Sequence, residues 1–235
     1  MIDGVLPAAG LGSRMRGLPK FLLPCDSEYL TLIERHVSEM LKVCETVWIP
    51  TRPEQTILLE SLGLSSDRVV IVPMRTATMT ETIIRLSRVS GANRFIMVMP
   101  DTYFFGEQPY SFLANSVSPM DLACWPIRPE QLGKLGQVQI ATPPEGAVLD
   151  CKDKDPQCGF GHSWGAMAFD RMVLSHASPD MPHTGFMIPK LIKEEVQVNA
   201  RVMVGSYYDC GSPVEYLQML VAANLVKSEF GDKLQ

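Results

Sequence analysis

The sequence predicts an α/β fold, a single domain in which a mixed, mostly parallel sheet is sandwiched between helices. Three observations predict it. In the first half, short apolar runs alternate with stretches whose apolar residues recur at helical spacing. Buried strands joined by helices run parallel and are covered on both faces. A glycine-rich loop directly follows the first apolar run, and sheets of this kind bind ligands at the carboxyl ends of their strands. From about residue 118 onward, strands are joined by turns rather than by helices of the earlier length. At 235 residues the chain is long enough to bury one large core, and residues 1–118 and 119–235 read as two functional halves of that one domain.

The elements follow in order. Residues 2–6 form a short first strand. Over residues 27–43, Leu30, Ile33, Val37, Met40 and Leu41 fall on one helical face. Residues 45–50 read as a strand, and 53–62 as a helix with Pro53 near its start and Gly63 as its stop. Residues 68–72 and 94–99 are buried strands, and between them Thr78 or Thr80 caps a helix running to about Val89. In the second half, residues 120–126, 136–142, 146–149, 164–169 and 197–206 read as strands, with helices at 186–195 and 213–226. Leu217, Leu220 and Val221 on the last helix serve either the core or a homo-oligomer contact.

The densest chemistry lies in residues 6–24, LPAAGLGSRMRGLPKFLLP. Gly10, Gly12 and the small Ser13 let the backbone approach an anion and turn N–H groups toward it, with Ala8 and Ala9 leading in. Arg14 offers a fork of donors to a phosphate. Lys20, set by the stiff Pro19, adds a compact second charge. Glycine spacing alone fits an ordinary turn. The string is neither the P-loop, lacking its closing G-K-[ST], nor the dinucleotide fingerprint, lacking its third glycine.

As a whole, G-x-G-[ST]-R-M followed by P-K-x-L-x-P resembles the signature loop of sugar-phosphate nucleotidyltransferases, the glucose-1-phosphate thymidylyltransferase-like NTP transferases. Gly10, Gly12, Ser13, Arg14, Met15, Pro19, Lys20, Leu22 and Pro24 carry the match, and Ala9 stands for the first small residue. The spacer Arg16-Gly17-Leu18 is shorter than in most sugar-specific members, which leaves room for compact-loop cytidylyltransferases. The resemblance implies the Rossmann-like sheet of nucleotide-diphospho-sugar transferases. It also implies an NTP and a sugar-1-phosphate as substrates, with Mg²⁺ as cofactor.

Two aspartates extend the resemblance to Pro213. Asp101 follows an apolar strand in VMPDTYFF, and Asp209 lies in GSYYDCGSP. Each by itself fits a turn or helix-cap residue. Together with the loop they match the family's two metal-binding carboxylates, and Mg²⁺ needs few protein ligands. The implied catalytic set is Arg14, Lys20 and Asp101, with the metal on Asp101 and Asp209 and the nucleotide also meeting Thr78. For the acceptor phosphate, the Lys of the family's E-K-P motif falls nearest Lys154, with Lys152 as competitor, and an inserted Asp155 breaks the motif. A solvated charged turn fits that segment nearly as well. Gly165 would let a sugar hydroxyl reach the backbone, unless it is only a strand glycine or bulge. The family's base-reading stretch is here VPMRTATMTE, without its Gln and Gly, so thymidine specificity does not carry over. Arg75, Thr76, Thr78 and Thr80 are candidate base contacts, or simply a capped helix start.

Composition bounds the rest. A net charge of -5 and a pI near 5.4 argue against nucleic-acid or membrane-surface binding by bulk charge. Six scattered cysteines make no C-x-x-C pair, which disfavours zinc and fits reduced thiols in the cytoplasm. No leader-like stretch precedes the loop, and no apolar run is long enough to span a membrane. The rival readings are a cytidylyltransferase for another alcohol phosphate, a molybdopterin-type relative, a glycosyltransferase, and a silent nucleotide-binding regulator. A glycosyltransferase usually needs D-x-D, whereas the string here is Asp101-Thr102-Tyr103. A silent regulator would be expected to lose Arg14, Lys20 or a metal carboxylate, and all are present.

Overall fold

The computed structural model describes residues 1–10 and 15–224. Four parallel strands form its first half: β1 (Ile2–Val5), β2 (Val47–Thr51), β3 (Val69–Pro73) and β4 (Arg94–Val98). Their order in the sheet is β3-β2-β1-β4. Helices make the crossovers: α1 (Leu32–Met40), α2 (Thr56–Ser61) and α3 (Met79–Ser87). The second half adds β6 (Met120–Pro126), β7 (Gly136–Ile140), β8 (Glu145–Asp153), β9 (His162–Asp170) and β10 (Val198–Val202). The nine strands form one sheet, β3-β2-β1-β4-β9-β6-β10-β8-β7. Beyond β4 the pairings are antiparallel except β10 with β6, and the far end curls so that β7 also pairs with β9.

Strand residues alternate between two cores, as the twofold period of a strand requires. On β4, Ile96 and Val98 enter one cluster with Ile33, Val37 and Met40 of α1, while Phe95 and Met97 enter the other with Ile83 and Leu86 of α3. On β9, Ala166 and Ala168 face the first cluster and Met167 and Phe169 the second. The second cluster is completed by α5 (Met187–Lys193).

A two-stranded ribbon stands apart from the main sheet: β5 (Thr102–Gly106) pairs antiparallel with β11 (Gly205–Asp209). The sequence pattern assigns no element to residues 102–106 and one strand to residues 197–206. The chain instead breaks after Val202, because Gly205–Asp209 finds its partner in β5 rather than in the main sheet. Helices α4 (Tyr110–Asn115) and α6 (Pro213–Ala222) complete the fold. The expected helix over 27–43 begins only at Leu32. Thr31 is its N-cap, with a reciprocal capping box to Glu34, and Asp26 holds the preceding turn by accepting from the Glu28 and Leu30 amides. Leu220 of α6 packs against a third cluster of Cys25, Leu32, Tyr103, Cys210 and Met219.

Candidate active site

The strand order decides where the site lies. β1 continues as far as Ala8, which bridges to Thr51 at the end of β2, and the Ala8 N–H donates to the Pro50 carbonyl at 2.9 Å. On the other side of β1, β4 ends in Pro100 and Asp101. The exits of β1, β2 and β4 and the loop between β3 and α3 therefore open on one cleft of about 370 Å³. Ala8, Ala9, Gly10, Lys20, Thr78 and Asp101 all line it. Gly12, Ser13 and Arg14 lie outside the described residues.

Lys20 opens a single 3-10 turn, Lys20–Leu22, after Pro19 in extended conformation. The segment is fastened further along, where Tyr216 of α6 donates its hydroxyl to the Pro24 carbonyl at 2.7 Å. This sets the Lys20 ammonium 3.2 Å from a carboxylate oxygen of Asp101, with the two side chains 12% and 17% exposed. A cation and an anion thus meet in the wall of the cleft, mostly out of water.

The ribbon brings the backbone of Asp209 near that of Asp101, although Asp209 is not among the residues that line the cleft. In register it stands opposite Thr102, and the next amide, Cys210 N–H, donates to the Asp101 carbonyl at 2.9 Å. Burial pushes the Cys210 thiol far above the usual thiol range, and the charges of Asp101 and then Asp209 push it further. The Tyr207 hydroxyl is raised by burial and by the same two carboxylates. Among the described residues no group of three or more His, Cys, Asp or Glu side chains is assembled as a metal cage. Mg²⁺ needs few protein carboxylates, because waters and substrate oxygens supply its other ligands.

Behind Asp101, Thr102 is held from the core. His36 is fully buried and burial lowers its pKa to about 4. Its Nε2 lies 2.8 Å from the Thr102 carbonyl, which can only accept, so Nε2 carries the proton and Nδ1 accepts from the Tyr110 hydroxyl at 2.6 Å.

On the opposite flank, Thr78 is the N-cap of α3, accepting from the Glu81 amide at 3.0 Å and donating to the Pro179 carbonyl at 2.5 Å. The Met79 amide donates to the Pro182 carbonyl, so the loop before α3 is tied to a segment of the second half. Of the expected base contacts, Thr76 and Thr78 line the cleft. Thr80 is buried outside it, and Arg75 pairs with Glu54 at 3.0 Å.

Sequence reasoning missed Arg52, Gln55 and Pro182, which also line the cleft. No motif marks them. The only signal for Arg52 and Gln55 is position, just after a strand that pairs with the one leading into the glycine loop, and Pro182 comes from a bend of the second half. Two expected acceptor residues do not reach the cleft. Lys154 stands exposed at the end of β8 with φ 52°, while its competitor Lys152 lies over the Phe160 ring. Gly165 is buried, and a Cβ there would sit 2.7 Å from the Tyr207 ring and 2.9 Å from Trp125. Its lack of a side chain makes room for the stack of Phe104, Trp125 and Tyr207. Nearby, Asp153 accepts from or pairs with His183 Nε2 at 2.8 Å.

Residues 4–164 match the family model of the MobA-like NTP transferase domain. The chain belongs to this family. It is a nucleotidyltransferase. Comparison with curated protein sequences finds no match. Solved structures share the nucleotidyltransferase fold. A UDP-glucose pyrophosphorylase in complex with UDP-glucose is 19% identical, with 96% of this chain and 99% of that one covered at a TM-score of 0.78. A Bacillus anthracis protein assigned as a glucose-1-phosphate thymidylyltransferase is 15% identical, with 97% of each chain covered at a TM-score of 0.81. A UTP-bound enzyme of the first kind from Acinetobacter baumannii is 18% identical, with 99% and 97% covered at 0.73. No helix among the described residues of this nucleotidyltransferase is long and apolar enough to cross a membrane.

Proposed function

We propose that this nucleotidyltransferase joins an NTP to a sugar-1-phosphate and releases pyrophosphate, with Mg²⁺ as cofactor. The single observation that carries the reading is the Lys20–Asp101 pair in the wall of the cleft, with the backbone of Asp209 brought near that of Asp101 by the β5–β11 ribbon. Residues 1–118 bind the nucleotide and 119–235 present the acceptor. The free, mostly buried cysteines agree with a cytoplasmic setting.

A phosphate monoester is already a competent nucleophile at neutral pH, so its oxygen attacks the α-phosphorus without a general base. Catalysis then rests on position and charge. Lys20 is held by Asp101 and stabilises charge growing on the α-phosphate. Arg14, with the backbone of Gly10, Gly12 and Ser13, takes the β- and γ-phosphates. Asp101 and Asp209 hold the Mg²⁺, which when bound supplies positive charge against the triphosphate. On the acceptor side, Lys154 and Gly165 remain assignments from the family motif.

A second reading keeps the reaction and changes the acceptor to a non-sugar alcohol phosphate. The MobA-like family match and the compact spacer before Pro19 favour it. Pyrophosphate release with Mg²⁺, testing each common NTP against sugar-1-phosphates and other alcohol phosphates, separates the two. Release with a sugar-1-phosphate alone supports the first reading, and release with only another alcohol phosphate supports the second. No release with any pair, beside nucleotide-induced thermal stabilisation, would point to a silent binding protein.

A further inference from the structure

We propose that Arg52, seconded by Gln55, reads the nucleobase and selects an oxo base (uracil, thymine or guanine) over an amino base (cytosine or adenine). The inference rests on the reading above, that the cleft takes a nucleoside triphosphate.

The topology separates the two ends of the ligand. Lys20 and Asp101 lie on the β4 side of the β1 exit, and Arg52 and Gln55 lie on its β2 side. A triphosphate drawn to Lys20 and the glycine loop therefore extends its base toward β2 and the Thr76–Thr78 segment. Among the described residues, Arg52 is the charged side chain that lines that end of the cleft. Arg52 gives its Nε to Glu54 at 2.9 Å, and its side chain is 20% exposed. Glu54 also pairs with Arg75, at 3.2 Å on the same oxygen and 3.0 Å on the other, so it links the two guanidinium groups. Arg52 lines the cleft, its terminal nitrogens have no hydrogen-bond partner among the described residues, and a guanidinium can only donate. Gln55 accepts from the Thr51 hydroxyl at 3.4 Å through its carbonyl oxygen, which turns its amide nitrogen the other way. Asp101 is the only carboxylate lining the cleft among the described residues, and it is held by Lys20 on the far side.

Uracil and thymine present O4, and guanine O6 and N7, as acceptors. Cytosine and adenine present an amino group at the equivalent edge. An amino base here would set N–H against the guanidinium and forgo the hydrogen bond that an oxo base makes.

The test is equilibrium titration calorimetry of the full-length protein with UTP, dTTP, GTP, CTP and ATP in the presence of Mg²⁺. The wild type should bind the first three about tenfold or more tightly than the last two. Arg52→Met should weaken the oxo nucleotides until all five fall together, leaving CTP and ATP unchanged. Gln55→Leu, on the opposite side of the same turn, should narrow the gap in part, and serves should Arg52→Met fail to fold. A wild type without preference, or variants that weaken all five nucleotides equally, would overturn the inference. Pyrophosphate release is assayed in parallel. An Arg52-dependent preference without turnover would leave the base reading standing and remove the proposed reaction instead.

Discussion

Lys20 and Asp101 show how much a single residue can be asked to do. The pair lines an open cleft with its side chains only 12% and 17% exposed, so desolvation offsets most of its attraction and the net contribution to stability is small. Its value lies in placing a charge where a phosphate develops one. Lys20→Ala should therefore lower kcat by about 10²–10³, the range seen when one preorganised donor is lost, while the urea midpoint moves little. Unchanged turnover would remove Lys20 from the mechanism. Asp209→Asn should raise the Mg²⁺ concentration needed for half-maximal pyrophosphate release, and an unshifted Mg²⁺ curve would remove Asp209 from the metal site. Both residues were legible in the sequence because short motifs fix their neighbours. Arg52 was not, because its place beside Ala8 follows from the pairing of β2 with β1, which local sequence does not announce. Gly165 shows the converse. A glycine that suggested a ligand has a packing reason in the aromatic stack behind it.

At the scale of elements, the parallel strands and their helices were legible because burial on two faces leaves continuous apolar runs. The ribbon was not. Thr102–Gly106 alternates poorly, and β11 is cut from β10 by tertiary pairing alone. Yet the ribbon sets the backbone of Asp209 near that of Asp101, so its turn matters to the site. Gly205 has φ +125°, and a Cβ there would stand 1.9 Å from the Phe105 carbonyl oxygen. Neither the dihedral nor the space admits a side chain. Gly205→Ala should destabilise the protein by about 2 kcal/mol or more and should impair turnover and Mg²⁺ response together, since β11 carries the carboxylate. Urea unfolding with parallel Mg²⁺ titration measures both, and a stable variant with normal Mg²⁺ response would show that the ribbon does not set the site. Thr78→Ala is a milder case. Losing the N-cap costs about 1 kcal/mol, and Thr78→Ser should restore the cap and the tie to Pro179.

At the scale of the whole molecule, His36 joins three parts of the structure: α1, which carries it, β5 through Thr102, and α4 through Tyr110. It is fully buried, with burial the main cause of a pKa lowered from 6.5 to about 4. Nearby Arg35 lowers it further, while the Thr102 hydrogen bond and Asp101 oppose the shift. A base whose pKa is depressed by folding binds its proton more readily in the unfolded chain. The stability it contributes is thus complete above pH 6.5 and is lost as pH falls toward 4. The slope is at most about 1.4 kcal/mol per pH unit, or about 3 kcal/mol over the window. Other groups titrate as well. The lowered pKa of His162 works in the same sense, whereas the Asp121 carboxyl, raised by burial, works in the opposite one. Comparison of wild type with His36→Asn cancels both. The variant should be less stable at neutral pH by about 1–3 kcal/mol, because the Thr102 carbonyl and Tyr110 hydroxyl lose a buried partner. Its urea midpoint should also fall less steeply than the wild type's between pH 6.5 and 4. Parallel curves across that window would mean that His36 is not held neutral by the fold, and that acid sensitivity arises elsewhere in the molecule.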